Sequence, residues 1–431
     1  ARALPYRIET LRRFANVVRQ RHEPFADLLA RETGRPLWEA RAEIDGVIAR
    51  VDASVSGFAE RTAQRRLDSP MGSRTALRHK PHGVIGVIAP ACTPVEIAAG
   101  HLIPALIAGN AVVLKPSEKT PAVAVFLVEC LLAAGVPEAS VRLAIGGPAE
   151  GRALAASADV DGLFFTGSAR TGAALHRAGA ERPDRLLALE MGGNNAILAW
   201  DTPDLAAAAA IVVQSAFASA GQRCTAAGRL VVDDAIADAL FDQVARLSDR
   251  LIVGAPHDDP APFMGPVADD EAADGLIDRF LDLILRGGRA IRHLGRPDPD
   301  RPFLTPAIID VTGVSDRVDA ALFGPVLQVQ RVASFEEGIA AVNATRFGLS
   351  ATLLGQTPAL YDRFWAGTRA GIVNWNRPSH GAGPGAPSGG TGWSGNHRPG
   401  GWYAADRCAY PVVSMEAEAA RAMMGIGLRD G

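Results

Sequence analysis

Between residues 83 and 191, five short apolar runs alternate with helical segments. Strands are expected at Gly83–Ala89, Ala111–Lys115, Val141–Ile145, Gly162–Phe165 and Arg185–Leu189. Helices are expected at Val95–Ile107, Ala122–Ala134, from about Ala149, and at Arg170–Gly179. Runs that are apolar throughout leave no wet face for an open antiparallel sheet. They predict an α/β fold with a parallel sheet and helices on both faces. Ligands of such sheets sit beyond the carboxyl ends of the strands. Cys92, Lys115, Gly167 and Glu190 fall at or just after those ends.

A second alternation follows Asn194. Helices are expected at Pro203–Ala218, Ala235–Leu251 and Asp269–Leu285, and strands at Leu230–Val232, Ala290–His293, Val326–Val332, Leu349–Leu354 and Gly371–Asn374. Ahead of both units, residues 6–65 carry helical stripes: Leu11, Phe14, Val17 and Val18, then Phe25, Leu28 and Leu29. A turn cluster at Asp68–Ser73 leads into Arg74–Pro81, which reads as an exposed ribbon without an evident partner in its own chain, and so as a subunit contact. The Gly-rich stretch Gly381–Gly401 must pack tightly or approach a ligand. Cys408–Met415 reads as a last strand, able to pair with the ribbon between subunits. The expected division is 1–66 with 83–191 for a dinucleotide, 67–82 with 400–431 for oligomerisation, and 192–399 for catalysis.

With 431 residues, 48% of them hydrophobic, the chain can bury two cores. A net charge of −3 gives no reason to expect a nucleic-acid or membrane partner. No apolar run reaches the ~18 residues of a membrane span; the longest, Leu205–Ala220, carries Gln214 and Ser215 and reads as a buried helix. The four cysteines (Cys92, Cys130, Cys224, Cys408) and nine histidines show no metal-ligand spacing, so no metal is expected and a reducing cytoplasm fits. His380 and His397 lie in or beside the Gly-rich stretch and could line an entrance. The chain opens on Ala1 just before a helix, so its native start is expected to be missing or removed.

Cys224 stands in Ala220-Gly-Gln-Arg-Cys-Thr-Ala-Ala227, after an apolar helix and near Gly221, which can open a loop. A thiolate is a strong nucleophile that needs a base and a polarised electrophile. Free cysteines are more often small core residues, which is how Cys130 and Cys408 read; the polar loop argues otherwise for Cys224. Glu190 ends the run Leu186–Leu189 and precedes two glycines. Apolar surroundings raise a carboxyl pKa, which suits a general base; a solvent-facing strand end is the other reading. Gly167-Ser-Ala-Arg-Thr-Gly172 opens a helix whose N–H groups suit a pyrophosphate. It lacks the opening glycine pair of the Rossmann fingerprint, and an ordinary strand–helix turn looks alike. In Lys115-Pro-Ser-Glu118 the lysine and glutamate can reach ribose hydroxyls, and the glutamate would repel a 2′-phosphate, favouring NAD. Ser117 and Glu118 equally suit a helix start. Cysteine, glutamate and phosphate turn together point to covalent catalysis on a carbonyl, with a dinucleotide taking the hydride.

In this order, Val84–Pro94, Lys115–Glu118, Phe165–Gly172, Leu189–Asn194, Gly221–Thr225, Phe323–Val326 and Gly371–Asn374 resemble the aldehyde dehydrogenase superfamily over nearly the whole chain. Ala188–Asn195, Gln214–Phe217, Ala220–Thr225, Asn374–Pro378, Ser394–Pro399, Tyr403–Asp406 and Cys408–Pro411 are closest to the branch that oxidises an N-succinylated semialdehyde in bacterial arginine degradation. The family's β segment ahead of the first helices is not seen. The resemblance implies the aldehyde dehydrogenase fold: a Rossmann-like NAD domain, an α/β catalytic domain and a β-ribbon for a homodimer or homotetramer. It implies that Cys224 attacks a small aldehyde, NAD takes the hydride, and Glu190 activates water to release the acid. Lys115, Ser117, Glu118, Gly167, Ser168, Gly172, Gly192 and Phe323 would bind the cofactor. Arg223, Arg377, His397 and Arg398 are the cations expected for a dianionic substrate.

Three positions depart from the family. Its oxyanion-hole asparagine falls on Cys92, and a thiol is a poor amide substitute. Loss of one such donor costs about 10²–10³ in rate, so Cys92→Asn is expected to raise turnover. Its glutamate for the nicotinamide ribose falls on Ala321, and a phenylalanine on Ser388. These leave an impaired or non-catalytic paralogue as an alternative. A CoA-acylating enzyme is another, which Glu190 argues against.

Overall fold

The computed structural model describes residues 2–68, 74–381, 383–420 and 426–427. Helices α1 (Leu4–Gln20), α2 (His22–Thr33) and α3 (Leu37–Arg61) open the chain, followed by β1 (Arg65–Asp68) and β2 (Arg74–Pro81). Next come β3 (Val84–Ile88), α4 (Pro94–Ala108), β4 (Ala111–Lys115), α5 (Pro121–Ala133), β5 (Val141–Leu143), α6 (Pro148–Ala156), β6 (Gly162–Gly167), α7 (Ala169–Ala178) and β7 (Leu186–Met191). Strands β3 to β7 form the expected parallel sheet, in the order β5-β4-β3-β6-β7. The opening helices pack with α4 and α5 through Phe14, Phe25, Ile44 and Leu102 into one core. A smaller core of Leu163, Phe165, Leu175 and Met191 lies under α6 and α7. The chain runs outward from β3 to β5 and returns at β6, so the crevice beyond β3 and β6 is the switch point where ligands bind.

The second unit holds β8 (Asn195–Ala199), α8 (Leu205–Phe217), β9 (Ala227–Asp233), α9 (Asp234–Ser248), α10 (Asp270–Leu285), β10 (Arg289–Arg292), β11 (Ala307–Asp310), β12 (Val326–Val332), α11 (Phe335–Asn343), β13 (Phe347–Gly348), β14 (Ser350–Leu354), α12 (Pro358–Gly367) and β15 (Ile372–Trp375). After β16 (Thr391–Gly392) come α13 (Ala404–Cys408) and β17 (Ala409–Glu416). The order β10-β11-β12-β9-β8-β14-β15 is parallel except at the β10 edge. Strands β1, β8 and β11 and helices α11 and α12 were not expected from the sequence. For α11 a signal existed: Ser334 accepts from the Glu337 N–H, the Ser-x-x-Glu start of a capped helix.

Two expectations are corrected. The ribbon Arg74–Pro81 is not unpartnered in its own chain: β2 lies between β1 and β17, with Arg65 opposite Leu77 and Ala409 opposite Pro81. The last strand thus pairs within the chain. Residues 404–408 belong with the first core rather than the small sheet, since α13 packs on α3 and α4 and buries Ala405 and Cys408 there. The expected turn at Asp68–Ser73 lies, from residue 69 on, outside the described residues.

Candidate active site

Sheet register sets the geometry. Ile88 stands opposite Lys115 and Phe165, and Thr166 opposite Glu190, so Lys115, Gly167 and Glu190 end at one edge. Past Glu190, residues 192–194 carry the chain into β8, which pairs with β9 directly after the Cys224 loop. Cys224 and Glu190 therefore belong to different sheets but line one cavity of about 200 Å³, with Arg50, His101, Arg223 and Arg407.

The Cys224 loop is built by a reversal after α8. Ser219, Ala220 and Gly221 have φ of 54°, 52° and 70°. Such angles are costly for the first two, and the third must be glycine: a Cβ there would stand 2.2 Å from the Gly324 carbonyl. Asn195 holds the loop, donating through Nδ2 to the carbonyls of Cys224 (2.8 Å) and Ala226 (2.9 Å) and accepting from the Ser350 N–H at 3.0 Å. Burial pushes the Cys224 thiol up to about 12; Cys92 and Glu190 push the same way, and Arg223 opposes.

Cys92 follows β3 and is partly exposed, but it is not among the cavity-lining residues. Burial pushes its thiol up to about 11. The helix it precedes is capped from outside: Glu43 Oε1 accepts from the N–H groups of Val95 (2.8 Å) and Glu96 (3.1 Å). Glu43 Oε2 pairs with buried Arg35 at 2.7 Å. Burial raises the Glu43 pKa, against the pull of Arg35.

Glu190 does not sit in a purely apolar site, and its pKa is not raised. Burial pushes its carboxyl up, but Arg407 first, then His101 and Arg50, together outweigh burial and hold it below the ordinary carboxylate range. Arg407 Nη2 lies 2.7 Å from Glu190 Oε1.

Of the expected substrate cations, Arg223 lines the cavity, but its guanidinium pairs with buried Glu39 and its Nε donates to Ser219 Oγ at 2.6 Å. Arg377, His397 and Arg398 are exposed and do not line the cavity. The segment before His397 is strapped to β7, with the Met191 N–H donating to Ser394 O (2.8 Å) and the Leu189 N–H to Asn396 Oδ1 (2.9 Å). Arg50 from α3 and His380 line the cavity instead. Arg50 pairs with Glu96 at 2.9 Å, and its Nε is buried without a partner. Ser388 lines the cavity, while Ala321 does not.

Sequence reasoning missed Arg50, His101 and Arg407. His101 is a lone imidazole in the otherwise apolar run Ala98–Ala108, and Arg407 adjoins the core position Cys408. A polar group inside a core pattern requires a partner, and that was the available signal.

Of the residues expected to hold a cofactor, all but Phe323 lie at or just after the ends of β4, β6 and β7. Lys115 is buried; its Nζ donates to Pro116 O at 2.8 Å and lies 3.5 Å from Glu118 Oε2. An ammonium has three N–H bonds, so one remains for a ribose hydroxyl, with exposed Glu118 as an acceptor. Ser117 Oγ accepts from the Lys119 N–H at 3.2 Å. Ser168 caps α7, accepting from the Thr171 N–H at 3.2 Å. A Cβ on Gly167 would stand 2.5 Å from the Phe165 ring, and one on Gly172 2.2 Å from Met191 Sδ, so both glycines let α7 close on the sheet. Gly192 faces open space and Phe323 is exposed. This donor set and free space fit a nicotinamide dinucleotide.

Known proteins agree with this arrangement. The sequence profile of the aldehyde dehydrogenase family matches residues 1–411. The N-succinylglutamate 5-semialdehyde dehydrogenase of Sphingopyxis alaskensis is 60% identical over 430 residues, covering 100% of this chain and 89% of that protein. The protein of the same name from Novosphingobium aromaticivorans is 57% identical over 429 residues, covering 100% and 91%. The NAD-dependent aldehyde dehydrogenase from Sinorhizobium meliloti superposes with a TM-score of 0.91 at 27% identity, over 98% of this chain and 84% of that one. In fold and in sequence, this chain belongs to the aldehyde dehydrogenase family.

Proposed function

We propose that this chain oxidises N-succinylglutamate 5-semialdehyde to its carboxylic acid with NAD as acceptor. The carrying observation is that Cys224 and Glu190 share one cavity with Arg50 and Arg223, in a chain that matches relatives of that name along its whole length. Cys224 is a thiol at rest, so its proton leaves as sulfur attacks the aldehyde carbon; Glu190 in the same cavity is its acceptor. Bound nicotinamide supplies the hydride acceptor. Lys115 and Glu118 would hold its adenosine ribose and the Gly167–Gly172 turn its phosphates; the Glu118 carboxylate disfavours a 2′-phosphate. Glu190 passes the thiol proton to solvent and, again a carboxylate, takes a proton from water, whose oxygen bonds to the thioester carbon. The C–S bond breaks, the departing sulfur takes the proton back from Glu190, and the acid and the Cys224 thiol are released.

Two carboxylates on the substrate need cationic partners. Arg50 has a buried N–H free to give, whereas Arg223 is already paired. The impaired-paralogue and CoA-acylating readings are not favoured beside relatives 57–60% identical that are named as dehydrogenases of this semialdehyde. The protein assembles as a homodimer or homotetramer through the small sheet, whose edge strand β17 exposes Tyr410, Val413 and Met415. A single-chain mass in sedimentation equilibrium would contradict that assembly. The substrate is tested by kcat/KM for the succinylated semialdehyde against an uncharged aldehyde of similar length. A preference of about 10² or more is expected for the dianion, since unmatched buried donors reject the uncharged competitor; equal values would overturn the assignment.

A further inference from the structure

Arg407 is almost fully buried, at 2% exposure, and is gripped from several sides. Its Nη2 lies 2.7 Å from Glu190 Oε1 and 2.9 Å from His101 Nδ1. Its Nη1 donates to Arg398 O at 2.8 Å, and its Cζ stands 4.9 Å from the Phe164 ring centre. His101 Nε2 lies 2.8 Å from Thr166 Oγ1, and Thr166 is the cross-strand neighbour of Glu190, so the network closes on itself. Burial pushes His101 down to about 4, so it is neutral at physiological pH. Its Nδ1 accepts from Arg407 and its Nε2 carries the proton toward Thr166. The Arg407 charge is therefore directed at Glu190. The Gly-rich strap seals the pair: a Cβ on Gly400 would stand 2.6 Å from Glu190 Oε1 and 3.2 Å from Arg407 Nη2. A charge contact shielded from water is strong. Glu190 Oε1 is buried without an aligned donor, which leaves Oε2 as the oxygen that can face the cavity.

We propose that Arg407 is a positioning residue of the reaction: it keeps the Glu190 side chain a carboxylate and fixes its direction, so water activation at the acyl-cysteine depends on it. The inference rests on Glu190 being the hydrolytic base. The other titratable groups that bear on Glu190 are His101 from α4, Arg50 (paired with Glu96) from α3, and Cys224 from its loop.

The test uses p-nitrophenyl acetate, which acylates Cys224 without nicotinamide or the specific aldehyde. The burst of nitrophenolate shows a folded, reactive cysteine, and the following steady state reports thioester hydrolysis. In Arg407→Met the acidic limb of the steady-state rate is expected to rise by about one to three pH units, the effect of losing a close opposite charge from a carboxylate. Arg407→Lys is expected to return the limb toward wild type. A rate lowered equally at all pH, with the limb unmoved, would overturn the proposal. If Arg407→Met shows no burst, Arg407→Gln provides the same comparison. Glu190→Gln separates the two levels: an unchanged steady state and limb there would remove Glu190 as the base, whatever Arg407 does.

Discussion

Cys224 and Glu190 are tuned in opposite senses by neighbours a few ångströms away. The thiol is pushed up to about 12, chiefly by burial, while Arg407, with His101 and Arg50, outweighs burial at the carboxyl. The cavity therefore holds a neutral thiol beside an ionised carboxylate, the states the proposed nucleophile and base would rest in. A free thiol titrates near ~8.5 and reacts as its thiolate. Alkylation of Cys224 by iodoacetamide is thus expected to accelerate steadily with pH beyond that value, because the thiolate fraction keeps growing. Inactivation rates measured from pH 6 to 10 check this, and a plateau near the ordinary thiol value would contradict it. The sequence named both residues, because a cysteine in a polar loop and a glutamate at a strand end break their local patterns. It misjudged the sign of the Glu190 shift, since Arg407 reaches it through the fold: Arg407 is 306 residues from its other partner, His101.

At the scale of elements, the site is held by contacts from neighbouring helices and strands. Helix α4 begins just after Cys92 with Thr93 in a left-handed conformation and no side-chain cap of its own. Glu43 of α3 supplies the cap and its Arg35 partner the counter-charge. Glu43→Ala is expected to cost about 3–5 kcal/mol, because it leaves a buried arginine unpaired. Glu43→Gln keeps an acceptor for the two N–H groups and is expected to cost less. Urea unfolding of both variants measures the difference, and equal losses would contradict a capping role. Most elements of the first sheet were legible because their strands are continuous apolar runs set off by turns. Strand β8 was not, because it follows β7 after only Gly-Gly-Asn and gives no periodic signal of its own. Helices α11 and α12 have nine and ten residues, too short for their stripes to stand out.

The whole molecule brings its two larger sheets together at one crossing, and the cavity lined by Cys224 and Glu190 lies there. Ion pairs also bridge the layers: Lys119 after β4 meets Asp269 at the start of α10, and Arg223 meets Glu39 of α3. The segment at 404–416 returns to the first core, so α13 places Arg407 against Glu190 while β17 completes the small sheet. Sequence pattern reached the two-sheet plan but not this return, because Arg407 and β17 take their meaning from distant partners. Of the departures at Cys92, Ala321 and Ser388, only Ser388 lines the cavity, and Cys224 and Glu190 both line it. The most direct measurement is NADH formation, followed by absorbance, with N-succinylglutamate 5-semialdehyde and NAD, beside a Cys224→Ala control. NADH formed by the native chain and abolished in the control is the expected result; no NADH from the native chain, or equal NADH from both, would contradict catalysis through Cys224.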